Sequence, residues 1–321
     1  MAKKGKPRSG SLQFWPRKRA KKETPRLRTL PKSKDNKLLC FIGYKAGMTH
    51  VMAKDTRSTS MTKNETISFP VTIIECPPLK IASSRFYKKT QNKLKLVSEI
   101  LNKNLDKDLR RRINNPKQIK AKEPKIEEYD EVRGLFYTQP RKASFGKKRP
   151  DLLELSIGGS KEEQLSFIKE NLGKEISIED VFENGILIDT HGVTKGKGFQ
   201  GPVKRFGIAL RASKSEKARR NPGSLGPWKA HAHIMWKVAH AGQMGYHTRT
   251  EYNKQIVKIS KDPKEIEIRG GIGHYGNVKS SFILIKGSVQ GPKKRAIVMT
   301  PAVRPPKKHS KEGLHITHIN L

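Results

Sequence analysis

Thirty-nine net positive charges constrain this chain more than any other feature, because a compact globule carrying them alone would repel itself. The surplus comes from 68 Lys and Arg against 29 Asp and Glu in 321 residues. The fold is therefore expected to be completed by a polyanion, and nucleic acid is the usual one. A membrane surface is the rival polyanion. No apolar run is long enough to span a bilayer, and the first apolar stretch, Leu38–Ile42, lies too far along the chain for a signal peptide. A membrane partner is not expected.

The position of the charge says more than its total. Residues 1–37 hold 14 Lys and Arg against Glu23 and Asp35, with prolines at 7, 16, 25 and 31. Such a segment cannot bury enough apolar surface to fold alone. It reads as a basic RNA-binding arm. Arg17, Lys18 and Arg19 would meet phosphates, and Leu12, Phe14 and Trp15 would order against RNA. Between Asp151 and Asp189 there are 10 acids and 3 lysines; between Thr190 and Thr250 there are 12 Lys and Arg and one Glu. The acidic piece should face solvent or another protein, and the basic piece phosphate.

Hydrophobic residues make up 34% of the chain, enough for one or two cores beside polar extensions. Leu38–Tyr44 and Ile67–Cys76 read as strands, as do Gly185–Asp189, Gln255–Ile259, Glu265–Ile268, Ser280–Lys286 and Arg295–Thr300. Between them, Leu94–Ile113 and Lys161–Leu172 show helical spacing, whereas Lys125–Tyr137 and Leu152–Ile157 alternate like strands. The expectation is a mainly β protein: a small barrel made of 38–80 and 176–305, with an α/β subdomain inserted at 81–175. A basic finger at about 204–250 would leave the barrel as a long loop, and 306–321 would form a C-terminal tail. Cys40 and Cys76 each stand in an apolar run and read as buried thiols. Two cysteines build neither a disulfide framework nor a four-cysteine zinc site.

The densest motif is His191-Gly-Val-Thr-Lys-Gly-Lys-Gly-Phe-Gln-Gly201, followed by Lys204 and Arg205. Gly192, Gly196, Gly198 and Gly201 would let the backbone approach a phosphate, with Lys195 and Lys197 supplying charge. A nucleotide-binding loop fails on spacing: Gly192 to Gly196 is one residue short, and Gly198 stands where a hydroxyl should hold magnesium. Pro202–Gly207 also does not read as the helix such a loop needs. Gly271-Ile-Gly273-His-Tyr-Gly276 fits the dinucleotide fingerprint formally, but a strand, not a helix, is expected after it, so it reads as a glycine-rich hairpin. Histidines 231, 233, 240 and 247 crowd together without cysteine or the spacing of a zinc site. They suit RNA better than metal, together with Trp228, Trp236 and Tyr246. Core packing is the competing reading for Trp236. No catalytic constellation stands out, so neither a cofactor nor enzymatic activity is expected.

From Phe182 to Arg205 the chain resembles the signature of the large-subunit ribosomal protein L three family. Phe182, Asp189, Gly192, Thr194, Gly196-Lys197-Gly198, Gly201 and Arg205 stand at that family's spacing. Phe41–His50, Ala239–Arg249, Gly270–Gly276 and Gly291–Arg295 also resemble family segments. Gly10–Arg19 is similar to the arm of archaeal and eukaryotic members, whose long form the insertion at 81–175 suggests. The resemblance implies a translation-protein-type barrel whose extensions run into ribosomal RNA, the central one towards the peptidyl-transferase centre. It also implies a role in early subunit assembly and in aminoacyl-tRNA accommodation. By position Trp228 would be the tip tryptophan, although Lys229-Ala230 replaces the His-Pro pair of eukaryotic members. The slot of their methylatable histidine falls near Glu216, so that modification is not carried over.

The expected contacts are thus the arm cations, Lys195, Lys197, Lys204, Arg205, Arg211, Arg219, Arg220, Trp228, Lys229, His231, His247 and Arg249. The expected partners are large-subunit ribosomal RNA and neighbouring large-subunit ribosomal proteins in the cytoplasm, not a second copy of the chain. A free nucleic-acid chaperone or chromatin protein would need only the charge. A blocky finger inside a folded barrel argues against it.

Overall fold

A computed structural model describes residues 10–56, 60–91, 93–103, 105–114, 123–216, 218–226, 234–306 and 314–320. The chain divides into two compact units. The smaller joins Met1–Lys22 to Val193–Arg249, and the larger joins Glu23–Gly192 to Thr250–Leu321. The first elements are β1 (Phe41–Lys54), β2 (Thr66–Glu75), β3 (Leu79–Lys89), β4 (Leu94–Leu101), β5 (Glu131–Thr138) and β6 (Leu152–Ser156). There follow α1 (Lys161–Asn171), β7 (Leu187–Val193), β8 (Gly196–Gln200), α2 (Pro202–Phe206) and β9 (Gly242–Gly245). The chain ends with β10 (Thr248–Ser260), β11 (Phe282–Lys286), β12 (Ala296–Pro301) and β13 (His315–Asn320). The protein is mainly β.

Seven strands form one sheet in the order β12-β7-β10-β11-β2-β1-β13, and β1 also pairs with β12. Six strands therefore close into a ring, which removes the open edges that invite aggregation. The device is the length of β1. Its 14 residues hold β12 along Phe41–Tyr44 and β13 along His50–Lys54, while β2 takes the other edge. Composition follows position: Phe41–Gly47, Phe282–Ile285 and Ala296–Met299 are buried without alternation, as strands covered on both faces should be.

A second sheet, β4-β3-β5-β6, is antiparallel throughout. Helix α1 starts where the chain asks it to. The Ser160 hydroxyl accepts from the Glu163 N–H, and the Glu163 carboxylate accepts from the Ser160 N–H at 2.7 Å, a reciprocal capping box. Its Ile168 joins the main core, which also includes Phe86 and Phe136 of the second sheet. Glu75, fully buried at the end of β2, ties distant loops to that core. It accepts from the Lys279 and Ser280 N–H groups at 2.8 and 3.0 Å, and from the hydroxyls of Ser280 and Tyr275. Cys40 and Cys76 are free and buried, and burial pushes the Cys40 thiol up to about 12.

Three local expectations are corrected. Leu94–Ile113 is not helical: it begins as β4 along the edge of β3 and continues to a single 3-10 turn at Lys107–Arg111. Leu94, Leu96, Val97 and Ile100 satisfy either period, and cross-strand pairing, invisible in local spacing, decides. Glu265–Ile268 is not a strand, because Asp262 caps the Lys264 N–H and Pro263 starts a 3-10 turn through Ile266. Pro202–Phe206 is helical after all. Proline opens it and Gly207, at φ +69°, closes it in the left-handed conformation. The nucleotide-loop reading still fails, because Gly196–Gln200 is strand β8 and not a phosphate-wrapping loop. Further on, Ile272 and Gly276 bridge directly in a tight turn, with strand β11 after it. The C-terminal stretch ends in β13, a strand not expected from its sequence.

Candidate nucleic-acid interface

The smaller unit holds 21 of the 68 Lys and Arg residues but only one of the 29 acids, Glu216. About half of the net charge thus lies in a quarter of the chain. Its frame is a two-stranded ribbon, in which Gly196 faces Gly245 and Phe199 faces Gln243. Gly245 is required there, since a Cβ would stand 2.0 Å from the Lys195 carbonyl oxygen.

Onto this ribbon the arm is pinned by hydrogen bonds spanning more than two hundred residues of sequence. The Ala20 N–H donates to the Tyr246 carbonyl at 2.8 Å. Arg249 donates to the carbonyls of Pro16 and Phe14, at 3.0 and 3.5 Å. The His247 ring lies 2.9 Å from the Lys18 carbonyl through Nδ1, and its Nε2 accepts from the Gly245 N–H at 3.1 Å. That pair of partners fixes a neutral ring protonated on Nδ1. Burial, and then the charges of Arg249, Arg205 and Arg17, hold its pKa below the usual imidazole value, against the opposing hydrogen bond to Lys18.

Arginines near the arm work internally as well as electrostatically. Arg205 donates to the carbonyls of His240 and Gln243 at 2.8 and 3.1 Å, joining α2 to β9 and the residues just before it. The Arg17 guanidinium lies 4.4 Å from the Phe206 ring centroid and 5.1 Å from that of Trp15. Arg19 lies 5.8 Å from the Tyr246 ring. Farther out, Arg211 and Arg219 close a small loop: the Arg211 N–H donates to the Arg219 carbonyl, and the Arg219 Nε to the Arg211 carbonyl, both at 3.3 Å.

The structure thus brings Arg17, Lys18, Arg19, Lys195, Lys197, Lys204, Arg205, His247 and Arg249 into one unit. Lys18, Arg19, Lys195, Lys197, Lys204, Arg219 and Arg220 are exposed, as are Gly196, Gly198 and Gly201. Arg205, His247 and Arg249 instead spend their polar atoms holding the unit together. Gly192 lies in the larger unit and is buried, where a Cβ would meet Ile297 and Gln290 within 3 Å; that packing accounts for its missing side chain. Trp228, Lys229 and His231 lie outside the described residues. Trp236 is not a core residue. It is 63% exposed and meets the half-exposed Trp15 edge-to-face, with ring centroids 5.4 Å apart. Residue-type reasoning passed over Phe199, which is 77% exposed; its position among glycines and lysines was the available signal.

A mainly β chain in which one basic, aromatic-bearing unit holds about half of the net charge fits the class of structural proteins that associate with nucleic acid. The chain matches the family Ribosomal protein L3 over residues 1–320. It is similar to the large ribosomal subunit protein uL3 of Archaeoglobus fulgidus, at 47% identity over 98% of this chain and 97% of that protein. The uL3 of Methanosphaera stadtmanae is 46% identical over 95% of this chain and 94% of its own length, and that of Methanococcus aeolicus 44% over 95% and 93%. The chain belongs to the ribosomal protein L3 family: it is a structural protein of the large ribosomal subunit, located in the cytoplasmic ribosome, and not an enzyme.

Proposed function

We propose that the smaller unit is the surface by which this chain binds large-subunit ribosomal RNA. The observation that carries the reading is the concentration of 21 cations against one acid in a unit pinned together from the arm and the finger. Lysines 18, 195, 197 and 204, with Arg19, Arg211, Arg219 and Arg220, neutralise phosphates and release counterions. Exposed Gly196, Gly198 and Gly201 admit the phosphate backbone closely, while Arg17, Arg205, His247 and Arg249 hold the cations in place. Trp228, Lys229 and His231 extend the contact along the finger at about 204–250, towards the peptidyl-transferase centre. Recognition is then mostly of RNA shape, and binding supports early subunit assembly.

In the same reading, 38–80 and 176–305 form the barrel, 81–175 the insertion, 1–37 the arm and 306–321 the tail. The closed ring of six strands supports the barrel. The acidic stretch from Asp151 to Asp189 faces neighbouring ribosomal proteins, and the chain acts as a single copy without membrane or cofactor. Salt dependence tests the RNA surface. Replacing Lys195, Lys197 and Lys204 with alanine in the full chain lowers the slope of log affinity against log salt by about one per lost phosphate contact. An unchanged slope on large-subunit RNA would overturn the assignment.

A further inference from the structure

Within that RNA-binding reading, on which this step rests, we infer that Phe199 stacks on an unpaired RNA base. The ribbon holds one extra residue in β8: from Gly196 to Phe199 is three steps, whereas their partners Gly245 and Gln243 are two apart. The irregularity falls at Lys197–Gly198, and Gly198 takes the left-handed conformation at φ +67°. Bulges of this kind re-aim the side chain that follows. The Gln200 side chain braces it, its Nε2 donating to the Lys197 carbonyl at 2.7 Å. The side chain so aimed is an aromatic ring left 77% exposed.

What would cover that ring is decided by its surroundings. A protein partner needs an apolar patch that continues from the ring, yet the chain beside Phe199 is Lys197, Gly198, Gln200 and Gly201, with no apolar side chain among them. A Cβ added at Gly198 or Gly201 would meet nothing within 4 Å, so the backbone beside Phe199 is itself uncovered. A nucleobase needs only one free face of the ring and cations for the phosphates beside it. Exposed Lys195 and Lys197 supply them on the same strand segment. A base in a duplex is stacked already, which selects an unpaired or bulged nucleotide.

Ultraviolet cross-linking of large subunits that carry this chain as their only copy, followed by mass spectrometry of RNA–peptide adducts, tests the assignment. The expected result is a base cross-linked to Phe199, lost in Phe199→Leu and retained in Phe199→Tyr, with all three chains incorporated equally. Chemical probing of the Phe199→Leu subunits should show the same nucleotide gaining reactivity. A Phe199 that yields no base adduct, or one cross-linked only to a neighbouring protein, overturns stacking and leaves the RNA surface standing. Failure of the surface itself would appear separately, as an unchanged salt slope in the lysine variants.

Discussion

Single residues in this protein show that a cation's identity does not fix its task. Arg205 and Arg249 looked like phosphate ligands by type and spacing, yet their guanidinium groups are turned onto backbone carbonyls of their own unit. Such bonds to a charged donor contribute about 1.5–3 kcal/mol each, so these residues are struts first. His247 makes the same point with a sign attached. Its docked ring takes a proton less readily than a free imidazole. The folded unit that buries this ring, with its Nε2 accepting from the Gly245 N–H, is therefore at full strength above the free pKa of about 6.5 and loses stability as pH falls from there through the lowered value. That loss loosens the arm held on it. Hydrogen exchange at the Ala20 amide, corrected for its intrinsic rate, should be faster at acid pH; equal protection would remove His247 from this role. Glu75 is the anionic counterpart. Glu75→Gln turns an amide donor towards groups that themselves donate, and should cost about 3 kcal/mol in chemical denaturation.

At the scale of elements, legibility tracked how local the deciding interaction is. Helix α1 could be read from Leu165, Ile168 and Leu172, and its start is fixed by a side chain three residues away. Ser160→Ala should lower stability by about 1 kcal/mol in denaturant titration, and Ser160→Asp should retain most of it. Strands β11 and β12 could be read because their apolar runs are short and bounded by turns. The edge strand β4 could not, because the same leucines fit a helix until β3 is present to pair with them. Helix α2 was missed for the opposite reason. Its single turn carries no periodicity, and only the proline at its start and the glycine after it mark it.

For the whole molecule, the basic stretches at 1–37 and 190–250 were visible as charge blocks, but the bonding of one to the other was not. Nothing in either segment announces that Lys18 will meet His247, since long-range pairing leaves no local trace. Phe199 was hidden similarly, because the bulge that exposes it depends on the register with β9. The union makes a quantitative claim. If arm and finger form one RNA-binding body, deleting residues 1–22 and changing Arg249→Ala should not add. The double variant should lose less RNA affinity than the sum of the two single losses, by a coupling of about 0.5–3 kcal/mol. Independent, additive losses in a filter-binding cycle would mean that the two basic segments bind separately.

The pinning of the arm also sets an order of events during synthesis. Lys18 leaves the translating ribosome 229 residues before its partner His247. At roughly 5–20 residues per second that interval lasts about 10–50 s. Throughout it, the most basic part of the nascent chain is exposed without the strands that later hold it. A newborn chain of this protein thus presents its basic arm long before it acquires the residues that restrain it, which makes those seconds the period when an escort for the arm would matter most.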